Sequence, residues 1–172
     1  ADRFKMPRPV QPWEGVKDCF TYGHTAPTIK KPSIVARDIT AGFRYWPEDE
    51  ACQYLNIWTK DINNDVKRPV MVWIHGGGYC LGLPEQDDGV CRRLAEALGI
   101  VVAAVDYRLA PEHPYPAGLE DCYDAMTWLA RHPDIDATRV AIGVASAGGG
   151  LAAALAVLAR DRAEVTPVFQ LL

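Results

Sequence analysis

The sequence predicts an α/β fold: a mostly parallel, doubly wound sheet with an antiparallel pair at its start. Two observations carry this expectation. From Pro69 onward the chain holds short, unbroken apolar runs, namely Val70-Met71-Val72-Trp73-Ile74, Ile100 to Val105, Val140 to Val144 and Val165 to Leu172. Runs without polar alternation fit strands buried on both faces, as in a parallel sheet. Between the runs lie stretches with helical periodicity, and the order strand, helix, strand implies right-handed βαβ units.

Taken in order, residues 1–33 contain Pro7, Pro9, Pro12, Pro27 and Pro32. Proline lacks the N–H that helices and central strands use, so this part reads as an extended arm. Residues 34–68 hold the opening strands. Ile34 to Tyr45 and Cys52 to Thr59 are rich in β-branched and aromatic residues, with Trp46-Pro47-Glu48-Asp49 between them, and predict an antiparallel pair. Lys60 to Arg68 reads as a polar, hairpin-like loop with Asn63-Asn64 at its tip.

The core spans 69–172. Glu85 to Leu98 places Val90, Cys91, Leu94, Ala95 and Leu98 on one helical face, and Ala117 to Arg131 does the same with Leu119, Cys122, Tyr123, Met126 and Leu129. Leu151 to Ala159 is apolar on every side and predicts a helix buried all round. Six strands are expected in total, within a single domain spanning 1–172.

Composition narrows the partners. With 49% hydrophobic and 23% charged residues the chain is ordinary for a soluble globular protein. The net charge is −4, and Lys and Arg are scattered singly, which speaks against nucleic acid or an anionic membrane and for a neutral or weakly charged small molecule. No stretch reaches the roughly 18 apolar residues of a membrane span, and the start ADRFKMPRPV has no signal-peptide core. Cys19, Cys52, Cys80, Cys91 and Cys122 form no CxxC pair, so neither a zinc site nor a disulfide scaffold is favoured. A reduced, cytoplasmic protein without metal or cofactor is the expectation.

Two places carry chemistry. Ser146 lies between the run Val140 to Val144 and the apolar helix, followed by Ala147-Gly148-Gly149-Gly150. A serine on a tight strand-to-helix turn presents its hydroxyl above the sheet, and the next N–H points where an oxyanion would form. The plainer reading is an N-cap serine. His75-Gly76-Gly77-Gly78 follows the run Val70 to Ile74 directly. Glycines at a strand end let backbone N–H groups face a ligand; alone they equally fit a flexible turn.

These motifs carry a resemblance. His75-Gly76-Gly77-Gly78, the stretch Asp106-Tyr107-Arg108-Leu109-Ala110-Pro111-Glu112-His113-Pro114-Tyr115-Pro116-Ala117 and Ser146-Ala147-Gly148-Gly149 resemble the hormone-sensitive-lipase-like (type IV) esterases over residues 70–172. Residues from about 4 to 79 are more similar to the type B carboxylesterases, through Gly15-Val16-Lys17-Asp18, Cys52-Gln53-Tyr54-Leu55-Asn56-Ile57-Trp58 and Pro69 to Tyr79. The two meet at the glycine loop, and a natural mosaic or an engineered chimera reads alike.

Either resemblance implies the α/β-hydrolase fold, here its N-terminal part with the last strands lacking, and a serine carboxylic-ester hydrolase acting on a small-molecule ester. It implies Ser146 as nucleophile, the N–H groups of Gly76, Gly77 and Ala147 as oxyanion hole, and His75, Gly78 and Gly148 as supports. It also implies that the triad Asp and His follow the serine on later strands, beyond this chain, either supplied by a second chain or a homo-oligomer that completes the sheet or lost by truncation. Among the residues present, His24, His113, His132, Asp121 and Asp124 are poor substitutes; the two aspartates lie on a helix, where bonds to neighbouring backbone are expected. A non-catalytic binding module on the same scaffold is the alternative. The serine pentapeptide departs from the family pattern by Val144 in place of glycine, with an expected strain of about 1–3 kcal/mol that Val144→Gly would relieve. The last run, Val165 to Leu172, is expected to leave an open apolar edge prone to pairing.

Overall fold

A computed structural model describes residues 54–61 and 65–172, together with Glu14, which is exposed. The arm over 1–33, the strand expected at 34–45 and the loop tip Asn63-Asn64 otherwise lie outside the described residues. Within them, five strands form one mixed sheet: β1 (Leu55–Trp58), β2 (Arg68–Ile74), β3 (Val101–Val105), β4 (Ile135–Val144) and β5 (Phe169–Leu171), ordered β1-β3-β2-β4-β5. β1 is antiparallel to β3; β3, β2, β4 and β5 run parallel. Three helices connect them, α1 (Asp88–Leu98), α2 (Ala117–Arg131) and α3 (Gly148–Arg162).

Strand pleating sorts the apolar runs onto two faces. Val70, Val72 and Ile74 of β2 join Val101, Ala103 and Val105 in the larger core, against Leu119, Cys122, Met126 and Leu129 of α2 and Ala152, Leu155 and Ala159 of α3. Met71 and Trp73 face the other way, with Val102 and Ala104, onto Cys91 and Ala95 of α1. Each such side chain contributes about 1.5–3 kcal/mol of burial when large, and both faces are used, which is why these strands read as unbroken apolar runs. Cys80, Cys91 and Cys122 are free thiols, the last two buried.

Several expectations change. β1 pairs with β3, so Lys60 to Arg68 is no hairpin; the connection passes β3 to reach β2. The segment from Glu85 starts as a 3-10 turn, Pro84–Asp87, and becomes α-helical only at Asp88. Leu98 is 59% exposed, because it is the last helical residue before Gly99, whose left-handed φ of 64° turns the chain away. β4 starts at Ile135, earlier than its apolar run, through pairing of Ile135 with Arg68. β5 covers only Phe169–Leu171 of the last run: Pro167 has no N–H to give a ladder, and the first bond past it is Val168 N–H to the Val140 carbonyl at 2.8 Å.

The helix expected to be buried all round is buried on one side. Gly148, Ala152, Leu155 and Ala159 form its inner stripe, whereas Ala153 is exposed and Val157 is 49% exposed. Its inner stripe packs on the sheet and α2, and alanines on the outer side cost little to leave in water. β5 lies at the end of the sheet, with Phe169 56% and Leu171 41% exposed. Among the described residues no helix is long and apolar enough to cross a membrane.

The order of connections matters for the site. From β2 the chain goes to β3 on one side, then returns past β2 to β4 on the other. The C-terminal ends of β2 and β4 are therefore neighbours at the point where the winding reverses, the usual place for a ligand crevice in such sheets.

Candidate active site

β2 and β4 end in register, Ile74 opposite Val144, so the glycine loop and the serine turn emerge side by side. The Ala145 N–H donates to the Ile74 carbonyl at 3.1 Å, carrying the ladder one residue into the turn. A Cβ placed on Gly76 would lie 3.0 Å from the Ser146 Cβ and 3.1 Å from the Ala145 carbonyl oxygen; the loops meet this closely because Gly76 has no side chain. Gly148 has the same function one step on, since a Cβ there would run into the Ile74 carbonyl.

Ser146 itself is exposed and has φ of 50°, the left-handed region. For a non-glycine residue that conformation costs of order 1–3 kcal/mol, and the turn is held by bonds on either side: Gly148 N–H to the Ala145 carbonyl at 2.9 Å, Gly149 N–H to the Ser146 carbonyl at 2.9 Å, and Gly150 N–H to the Ala147 carbonyl at 3.1 Å. The strain thus sits on Ser146, and Val144 does not carry it. Val144 is an ordinary strand residue, half-buried against the main core. The position that needs glycine is Gly143, where a Cβ would lie 2.7 Å from the Met71 sulfur and 2.8 Å from the Trp73 ring. Val144→Gly is therefore expected to lower stability by about 1 kcal/mol through lost packing and a freer unfolded backbone, read as a lower urea midpoint.

The glycine loop is a tight turn. Gly77 and Gly78 have φ of 124° and 64°, and the Gly77 carbonyl accepts from Leu81 N–H at 2.9 Å and Cys80 N–H at 3.3 Å. A Cβ on Gly77 would overlap the Leu81 carbonyl. Among the described residues, the N–H groups of Gly76, Gly77 and Ala147 donate to no backbone carbonyl.

His75 is fully buried. Its Nδ1 lies 2.7 Å from the Gly76 carbonyl oxygen; the carbonyl accepts only, so Nδ1 carries the proton. Burial holds the imidazole below its usual pKa against weaker opposing effects of the Gly76 bond and Asp87, so the ring is neutral near pH 7. Its Nε2 has no partner among the described residues. The ring stacks on Tyr107 with centroids 4.2 Å apart and planes at 15°, while the Tyr107 hydroxyl donates to the His75 carbonyl at 2.8 Å. Gln86 adds a donor to the Gly76 carbonyl at 3.4 Å. Nothing in the sequence marks Gln86 as a support of the loop, whereas Tyr107 lies within the motif Asp106 to Ala117.

Asp121 departs from the bonding expected of it. It accepts the backbone N–H of Arg108 at 2.8 Å and the Arg108 guanidinium at 2.9 Å from Nε and 2.8 Å from Nη2, thirteen residues back along the chain rather than next to it. The pair pins the loop after β3 onto α2. Asp106, just before, is pushed up to about 7 by burial, then by the charges of Glu85 and Asp121. His132 caps α2, 3.7 Å from an Asp134 carboxylate oxygen, and lines a cavity of about 200 Å³ with Arg68, Val101 and Ile135, at the strand ends opposite Ser146. Among the described residues no side chain is hydrogen-bonded to the Ser146 hydroxyl, and no group of three His, Cys, Asp or Glu could hold a metal ion.

Known proteins are similar to this chain in sequence and fold. A family model described as the alpha/beta hydrolase fold matches residues 71–172. The esterase LipI of Mycobacterium tuberculosis is 43% identical over 118 residues, which is 67% of this chain and 37% of that protein. The carboxylesterase NlhH of the same species is 46% identical over 107 residues, 60% of this chain and 34% of NlhH. Among solved structures, a bacterial heroin esterase superposes with a TM-score of 0.66 at 42% identity, covering 71% of this chain and 39% of the esterase. The chain thus spans a little over a third of the length of these relatives. A mixed sheet wound in this order, with a strained serine and a glycine loop meeting at its switch point, agrees with the match over more than half of its length: the chain belongs to the α/β hydrolase fold family.

Proposed function

We propose that the protein is a serine carboxylic-ester hydrolase that works through an acyl-enzyme on Ser146. The observation that carries this reading is the left-handed Ser146 packed against Gly76. That contact brings the glycine loop up to an exposed serine, which supports a hole formed by the N–H groups of Gly76, Gly77 and Ala147. Attack of the Ser146 Oγ on an ester carbonyl would break the C=O π bond, and the N–H groups of Gly76, Gly77 and Ala147 would hold the resulting oxyanion. Each such donor is worth about 3 kcal/mol. The tetrahedral centre then collapses, expelling the alcohol and leaving the acyl group on Ser146; water releases the acid. His75 supports the loop through Gly76, and Gly78 and Gly148 give the backbone room. The names of LipI, NlhH and the heroin esterase point to the same chemistry, and a neutral, small ester fits a chain without a basic face.

Serine is a weak nucleophile unless a base takes its proton. His75 is committed to Gly76 and His132 lies at the other end of the strands; on this reading neither is the base, which together with its acid partner has to come from other residues. That gap is also what favours the second reading, a binding module that keeps the scaffold without catalysis. A fluorophosphonate probe separates the two. On the full-length protein we expect one adduct, mapped by mass spectrometry to the peptide bearing Ser146 and absent from Ser146→Ala. An unmodified Ser146 after prolonged exposure would overturn the hydrolase reading.

A further inference from the structure

We propose that Tyr79 is a specificity-determining residue of this site: its half-exposed ring forms a wall beside Ser146 against which an aromatic or other bulky apolar group of the ester packs, and Gly150 is the residue that lets the ring sit there. The inference rests on the hydrolase reading above and adds a substrate preference to it.

Tyr79 follows the three glycines and has φ of 65°, a left-handed conformation unusual for a tyrosine. Two contacts fix it. Its carbonyl accepts the Ala110 N–H at 2.9 Å, tying the end of the glycine loop to the stretch after β3. Its hydroxyl reaches the first turn of α3, where a Cβ on Gly150 would overlap the hydroxyl oxygen. Gly150 stands one turn past Ser146, and the three atoms nearest to that Cβ all belong to the Tyr79 side chain. The side chain therefore bridges from the loop that touches Ser146 through Gly76 to the helix that begins behind Ser146. A ring so held is 46% exposed, and Leu81 beside it is 41% exposed. Large apolar groups left open at a reaction site are contact surface for a ligand, and an aromatic face favours a flat apolar partner.

The test uses the full-length protein, 4-nitrophenyl acetate and 4-nitrophenyl phenylacetate to vary the acyl side, and ethyl and benzyl acetate to vary the alcohol side. Tyr79→Ala should lower kcat/KM for the aromatic member of one pair by about tenfold, mainly through KM, with the small ester of that pair changed much less. Gly150→Ala, which pushes the hydroxyl out of place, should give the same selective loss. Tyr79→Phe in the Gly150→Ala background should restore it, because the colliding oxygen is gone. Equal losses on small and aromatic esters, or independent effects of the Tyr79→Phe and Gly150→Ala changes, would overturn the proposal; thermal midpoints identify a variant that has merely lost its fold, in which case the selectivity of Tyr79→Phe/Gly150→Ala against Gly150→Ala decides. Failure of the hydrolase reading looks different, since the unsubstituted protein would then take no fluorophosphonate on Ser146.

Discussion

Alanine at Gly77 is expected to lower kcat/KM for an ester by about 10²–10³-fold while leaving the fold intact. The new Cβ would overlap the Leu81 carbonyl, and the φ of 124° is one that L side chains rarely adopt. The turn that bonds Gly77 to Cys80 and Leu81 would have to open, displacing the N–H that the proposed oxyanion hole takes from Gly77. Loss of one preorganised donor has the stated size. Gly78 is the control. It has φ of 64°, but its nearest contact would be the Cys80 sulfur at 3.9 Å, so Gly78→Ala should cost about 1 kcal/mol in backbone strain and change activity only a few-fold. Steady-state kinetics on both variants, with urea unfolding alongside, separate the two; equal activity losses would mean that the position of the Gly77 N–H is immaterial.

Asp121→Ala should be the more damaging change to stability, at about 2–4 kcal/mol. Its side chain is 3% exposed and is paired with an Arg108 side chain that is 32% exposed. Removing a buried partner leaves the other groups short of an acceptor, at a cost of about 3–5 kcal/mol when both are fully buried, less here because Arg108 retains water. The backbone N–H of Arg108 also loses its acceptor. Asp121→Asn, which keeps an acceptor for that N–H, should cost about half as much. Urea denaturation measures both, and a loss below about 1 kcal/mol for the alanine variant would show that the loop after β3 is held by other means. Because that loop carries Tyr107, and Tyr107 holds His75, the alanine variant should also slow labelling of Ser146.

The parts of the fold legible in the sequence were those in which burial is symmetrical. Val70 to Ile74, Ile100 to Val105 and Val140 to Val144 are apolar on both faces because helices cover both, and Ala117 to Arg131 coincides with α2 because Leu119, Cys122, Tyr123, Met126 and Leu129 recur at helical spacing and are all buried. Composition misled where exposure is cheap: Leu151 to Ala159 has no polar side, yet alanine and valine tolerate water well enough for half of α3 to be open. In the site, glycine and serine at strand ends were visible as local chemistry. The reach of Asp121 to Arg108, the stacking of His75 on Tyr107 and the fit of Tyr79 over Gly150 join residues far apart in sequence, and no local pattern encodes them. Val144 shows the opposite case: the strained residue of the turn is Ser146, with φ of 50°, and Val144 is an ordinary strand residue.

The antiparallel pairing of β1 sets a clock on assembly. Leu55 finds its partner in Val105 and Trp58 in Val102, so that pairing cannot form before β3 has been made. At about 5–20 residues per second of synthesis, β1 waits roughly 2–10 s for β3 to emerge, with Ile57 and Trp58 lacking that partner meanwhile. Pairings this distant in sequence slow folding. The yield of native protein should therefore depend on what shelters that early segment from other nascent chains.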